Sequence, residues 1–74
     1  MLNEEKVIEI INKCLEMNLD PKSTPVDVSL KELGIDSLDF FNVLIELEAK
    51  TGREILDGDD EKLVTIKSLV EYFA

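Results

Sequence analysis

The sequence predicts a small all-α bundle with three main helices, one short helix third in order, and a long loop between the first two. Three observations predict it. Apolar residues recur at helical spacing in separate stretches, and nothing reads as a strand of any length. Glycine and proline are few, three and two in 74 residues, and all fall between those stretches. At 45 % hydrophobic and 34 % charged, the composition is that of a folded domain rather than a disordered chain. The length allows one domain over residues 1–74. One cysteine cannot form an internal disulfide, and no histidine is present to help build a zinc site. Helix packing must therefore supply the stability.

Asn3 is the expected N-cap of the first helix, with Glu4 and Glu5 suited to the positive end of its dipole. Val7, Ile10, Ile11, Cys14 and Leu15 follow at helical spacing, so the helix is expected over about residues 4–17. Cys14 lies on that apolar stripe and reads as a core cysteine. From Leu19 to Asp36 the pattern breaks, with Pro21 and Pro25 marking turns. Val26, Val28, Leu30, Leu33 and Ile35 give this connection apolar anchors, which predicts a packed loop. Ser29-Leu30-Lys31-Glu32 has the form of a capping box and predicts one short helical turn, ended by Gly34 in a left-handed conformation. The second helix is expected from about Ser37 to Lys50, stopping at Thr51-Gly52. Asp57 or Asp59 is placed to cap a short helix through Leu63. Thr65 is placed to cap the last helix, with Ile66, Leu69, Val70 and Phe73 along one face.

Charge narrows the function. The net charge is −9, so phosphate backbones and anionic membrane surfaces are poor partners, and the expected partners carry basic patches. The absence of histidine removes Ser-His and Cys-His nucleophile pairs. The acidic N-terminus has no apolar core of a signal peptide, and the longest apolar run, Val43-Leu44-Ile45, is far short of the roughly 18 residues of a membrane span. A lone cysteine fits a reducing compartment. These features predict a cytoplasmic protein, free-standing because it starts at Met1, and monomeric because of its charge.

The second helix is more apolar than a surface helix requires. On a helical wheel, Asp39, Asn42, Glu46 and Lys50 share a polar arc, and apolar residues span roughly 220° against the on-the-order-of-100° stripe a core needs. Phe40, Val43, Leu44 and Leu47 can serve the core. Leu38, Phe41 and Ile45 form a further ridge, either a second internal contact or a docking face. Acids surround it, with no base from Glu32 to Ala49 and none from Glu54 to Glu61. Asp36 and Ser37 stand at the mouth of this helix, where either can act as N-cap. Nothing in the sequence supports a catalytic role for Ser37: the chain has no histidine, and no local lysine or Gly-rich oxyanion loop accompanies it. A serine at a helix N-terminus also suits an attached phosphodiester, whose charge the dipole and free N–H groups favour.

Leu33-Gly34-Ile35-Asp36-Ser37-Leu38-Asp39 closely resembles the acyl carrier proteins, whose Asp-Ser-Leu marks the attachment of 4′-phosphopantetheine. The likeness continues through Glu46-Leu47-Glu48, Gly52-Arg53-Glu54-Ile55, Asp59-Asp60-Glu61-Lys62-Leu63, Thr65-Ile66 and Tyr72. It implies an acyl-carrier-like four-helix bundle with Ser37 as the modified hydroxyl, beside Asp36 and Leu38, loaded by a phosphopantetheinyl transferase. It implies that the arm's thiol, not Cys14, holds acyl intermediates of fatty-acid, polyketide or specialised lipid synthesis. Asp36, Leu38, Asp39, Phe41, Ile45 and Glu48 match the family's partner-binding positions, facing synthase or acyl-transferring enzymes with basic docking patches. Val43, Leu44, Leu47, Ile55, Leu63 and Leu69 match the positions that shelter the acyl chain. The resemblance makes the chain a shuttle and not an enzyme.

Departures from the family pattern are Asn42 where an acid is usual, Phe41 where the residue is small, Leu56 in place of proline, Gly58 in place of an acid, and Thr51 in place of an aromatic. They point to a specialised carrier with dedicated partners. Carriers of aminoacyl or peptidyl groups usually show Gly-Gly before the serine pair, whereas here Ile35 follows Gly34. An unmodified acidic binding module, with Ser37 only a cap, is the third reading. Calcium binding at Asp57-Gly58-Asp59-Asp60-Glu61 fails the EF-hand spacing, since Lys62 and Ser68 stand where glycine and glutamate are needed.

Overall fold

The computed structural model describes residues 2–74. Helix α1 runs Glu4–Leu15, α2 Ser37–Thr51 and α3 Ile66–Phe73, with one 3-10 turn at Leu30–Leu33 and another at Asp59–Lys62. No strand occurs among the described residues. The fold is the expected all-helical bundle, with the short third helix reduced to a single 3-10 turn.

Asn3 caps α1, its Oδ1 accepting the Lys6 N–H at 2.8 Å. The helix ends two residues before the expected Met17, because Glu16 takes a left-handed conformation at φ 54°. Beyond it the Asn12 side chain holds both backbone groups of Leu19, accepting its N–H at 2.8 Å and donating to its carbonyl at 2.9 Å. The buried face is Val7, Ile8 and Ile11, whereas Ile10, Cys14 and Leu15 are only partly buried. The stripe is thus rotated towards Ile8, and Cys14 sits at the edge of the core rather than inside it.

The long loop is packed, as its apolar anchors predict. Its backbone is stitched to the start of α3: Leu30 N–H donates to the Val64 carbonyl at 2.8 Å, and Lys67 N–H donates to that of Val26 at 2.9 Å. These bonds give loop backbone groups partners outside any helix. In the turn at Leu30–Leu33 the Ser29 hydroxyl accepts the Lys31 N–H at 3.2 Å. The capping box expected with Glu32 does not form. The tighter 3-10 winding gives the Glu32 N–H to the Ser29 carbonyl instead. Gly34, at φ 89°, closes the turn as expected.

Helix α2 extends one residue past Lys50 to Thr51, whose hydroxyl donates to the Leu47 carbonyl at 2.7 Å. The expected helix cap by Asp57 or Asp59 is replaced by Gly58 at φ 88°, with no side-chain cap. Asp59 is engaged elsewhere: its carboxylate accepts the Tyr72 hydroxyl at 2.9 Å. Thr65 and Ser68 form a reciprocal capping box at the start of α3.

Helix α1 packs against both α2 and α3. Val7, Ile8, Ile11, Leu47, Ile66 and Leu69 show no exposed surface, and Val43, Leu63 and Phe73 almost none. No charged or polar residue is buried among them. Among the described residues, no helix is long and apolar enough to cross a membrane.

Candidate functional site

The site is assembled by the N-terminus of α2. Asp36, with extended backbone, is its N-cap, and its Oδ1 accepts the Asp39 N–H at 2.9 Å. Its carbonyl accepts the Phe40 N–H at 2.8 Å. Of the two candidate caps, the structure therefore uses Asp36. Ser37 becomes the first helical residue, exposed and released from capping. The N–H groups of Ser37 and Leu38 point out of the first turn with no intrahelical acceptor, as geometry requires. With the positive end of the dipole they favour negative charge at the Ser37 Oγ.

Two hollows border Ser37. One, of about 200 Å³, is mainly apolar and reaches from Ser37 to Leu30, Ile35, Phe40, Leu63 and Val64, with Phe41 and Asp60 at its border. The other, of about 220 Å³, is bounded by Lys31, Gly34, Ile35 and Asp36. An exposed primary hydroxyl, unused N–H groups and an adjoining apolar groove fit a phosphodiester on Oγ that continues into a flexible arm.

The ridge on α2 is outward-facing. Leu38 is 76 % exposed, Phe41 50 % and Ile45 63 %. Wheel geometry left internal contact and docking face equally open; the exposure removes the first. Asp36 is exposed and Asp39 partly so, both beside Ser37. Glu48 is different. Its Oε2 accepts the Ile55 N–H at 2.8 Å, so it also braces the connection after α2.

The residues expected to shelter a chain are divided among three places. Val43, Leu47 and Leu69 are closed within the core. Leu63 is buried yet lines the groove beside Ser37. Leu44 and Ile55 border a separate hollow of about 230 Å³ with Phe41, Ile45 and Leu56. Sequence reasoning missed Leu30, Val64 and Asp60 as groove residues. For Leu30 and Val64 the available signals were their apolar character at the edges of the loop and of the last helix. Their pairing across the fold leaves no trace in local pattern.

Comparison with known proteins agrees with this geometry. Residues 5–73 match the protein family described as phosphopantetheine attachment site. The chain is 40 % identical over 67 residues to an acyl carrier protein homolog of Mycoplasma genitalium, a match covering 89 % of this chain and 74 % of that protein. It is 38 % identical over 58 residues to an acyl carrier protein of Campylobacter hominis, covering 77 % of this chain and 73 % of the relative.

Proposed function

This chain belongs to the acyl carrier protein family, and on that premise we propose that it is a carrier and not a catalyst, with Ser37 as the attachment point of 4′-phosphopantetheine. The observation that carries the assignment is the Ser37 hydroxyl itself. It is exposed on the first turn of α2, released from capping by Asp36, and set within Asp36-Ser37-Leu38. When bound, the arm supplies a terminal thiol on which acyl groups are held as thioesters.

The rest of the chain supplies position and recognition. Asp36 fixes the first turn through the Asp39 N–H, so the hydroxyl stays where a transferase can reach it. The α2 N-terminus favours the phosphodiester charge. Leu63, with Leu30, Phe40 and Val64, offers an apolar surface beside Ser37 for the first part of an acyl chain, and Leu44 and Ile55 offer a second hollow. Leu38, Phe41 and Ile45 form the docking ridge, rimmed by Asp36, Asp39 and Glu48, and its partners carry basic patches. Those partners are a phosphopantetheinyl transferase and the acyl-transferring or synthase enzymes of a lipid pathway. Cytoplasmic residence and a monomeric state complete the reading; the net charge of −9 opposes self-association.

The reading is tested by charging the holo protein with a labelled acyl group and treating it with neutral hydroxylamine, which cleaves thioesters. The label is expected to be hydroxylamine-labile, retained in Cys14→Ser and lost in Ser37→Ala. Label that disappears in Cys14→Ser would place the cargo on the wrong thiol for a carrier.

A further inference from the structure

Among the described residues, Lys31 is the one base that borders the hollows at Ser37. Both hollows are lined by Lys31, Ile35, Asp36 and Ser37, so Lys31 stands on the divide between them. Its backbone is fixed by the 3-10 turn: its N–H donates to the Ser29 Oγ at 3.2 Å, and its carbonyl accepts the Gly34 N–H at 3.0 Å. The residue is exposed. Among the described residues the ion pairs are Glu46–Lys50 and Asp59–Lys62, which leaves the Lys31 ammonium uncommitted.

A phosphodiester on the Ser37 Oγ adds negative charge beside Asp36 and Asp39, on a chain already at −9. The free N–H groups of the first turn of α2 answer it with partial charge only. A full positive charge has few sources here. No base occurs from Glu32 to Ala49, Lys50 lies against other hollows with Glu9 and Ile10, and Lys62 is engaged by Asp59. We propose that the Lys31 ammonium is the counter-charge of the phosphodiester. It draws the phosphate to the hollow bounded by Gly34, Ile35 and Asp36, and leaves the mainly apolar hollow to the arm and its cargo. Lysine suits this task as a point charge for phosphate. The inference deepens the carrier reading and rests on it. Lys31 is a positioning residue: it orients the start of the arm and takes no part in acyl transfer.

The experiment compares apo and holo forms, each verified by intact mass, of wild type, Lys31→Gln, Lys31→Arg and Lys13→Gln. Lys13→Gln removes the same charge at a hollow that shares no residue with the two at Ser37. The quantity read is the thermal midpoint of the holo form minus that of the apo form, in which any effect of a substitution on the apo fold cancels. In dilute buffer this difference is expected to fall by about 1–4 °C in Lys31→Gln, the loss of one exposed ion pair in a domain of this size. It is expected to hold in Lys31→Arg and in Lys13→Gln, and moderate salt is expected to close the gap. An unchanged difference in Lys31→Gln, or an equal fall in Lys13→Gln, overturns the counter-charge and leaves the carrier reading intact. Failure of the wild-type chain to be modified overturns the carrier reading, and the role of Lys31 with it.

Discussion

Asp36 Oδ1 accepts the Asp39 N–H at 2.9 Å, and this single bond holds shut the turn from which the Ser37 hydroxyl projects. Losing such a cap costs about 1 kcal/mol, within roughly 0.5–2. Asp36→Ala is therefore expected to lower the thermal midpoint by about 4–8 °C, the shift that 1 kcal/mol produces in a domain of this size. Asp36→Asn keeps an oxygen acceptor and is expected to stay close to wild type in stability. If Asn melts as early as Ala, the cap is not what Asp36 contributes.

Tyr72 links the connection after α2 to α3 through two bonds of one hydroxyl. Tyr72→Phe removes both while leaving the ring against Phe73. The expected cost is about 1–2 kcal/mol. Hydrogen exchange at the Leu56 amide should quicken, and exchange in the α1 core should change only through the global loss of stability. Equal protection at Leu56 in both proteins would show that the connection holds without Tyr72.

Glu48 separates two roles. Its bond to the Ile55 N–H needs an acceptor oxygen, whereas recognition by a basic partner needs charge. Glu48→Gln is expected to preserve the thermal midpoint and to weaken partner reactions, most visibly at low salt. Glu48→Ala is expected to lose stability as well, by about 1 kcal/mol. Equal partner kinetics in Gln and wild type would leave Glu48 with the structural role alone.

The charge of −9 makes the fold sensitive to ionic strength. Moderate salt is expected to raise the thermal midpoint relative to dilute buffer, because screening relieves self-repulsion over distances beyond about 10 Å. Identical midpoints would remove that claim.

Leu47 shows no exposed surface and lies at the centre of the core. Leu47→Ala is expected to cost about 2–5 kcal/mol, much of what a domain of this size possesses. Its circular dichroism at room temperature should show substantial unfolding; a native spectrum and midpoint would mean the site collapses without a cavity.

The helices were legible because their punctuation is local. Asn3, Gly34, Gly52 and Thr65 act where their chemistry puts them, and Ser37 opens α2 as its neighbours suggest. The misreadings are tertiary. Glu16 turns left-handed near an Asn12 clamp on Leu19 that no periodicity reveals. The short third helix shrinks to a 3-10 turn where Gly58 takes the cap and Asp59 is engaged by Tyr72, 13 residues away. The groove beside Ser37 depends on Leu30 meeting Val64 through a backbone bond between distant segments. The ridge could be drawn on a wheel, but only packing decided which of its faces met solvent.

The central claim is that the Ser37 hydroxyl is the attachment point. Its most direct test is the intact mass of the chain, shown unmodified at the start, after incubation with coenzyme A and a broad-specificity phosphopantetheinyl transferase. Wild type should gain one phosphopantetheine group and Ser37→Ala none. A folded wild-type chain that gains nothing with several transferases, or a Ser37→Ala chain that gains the group, would contradict the account.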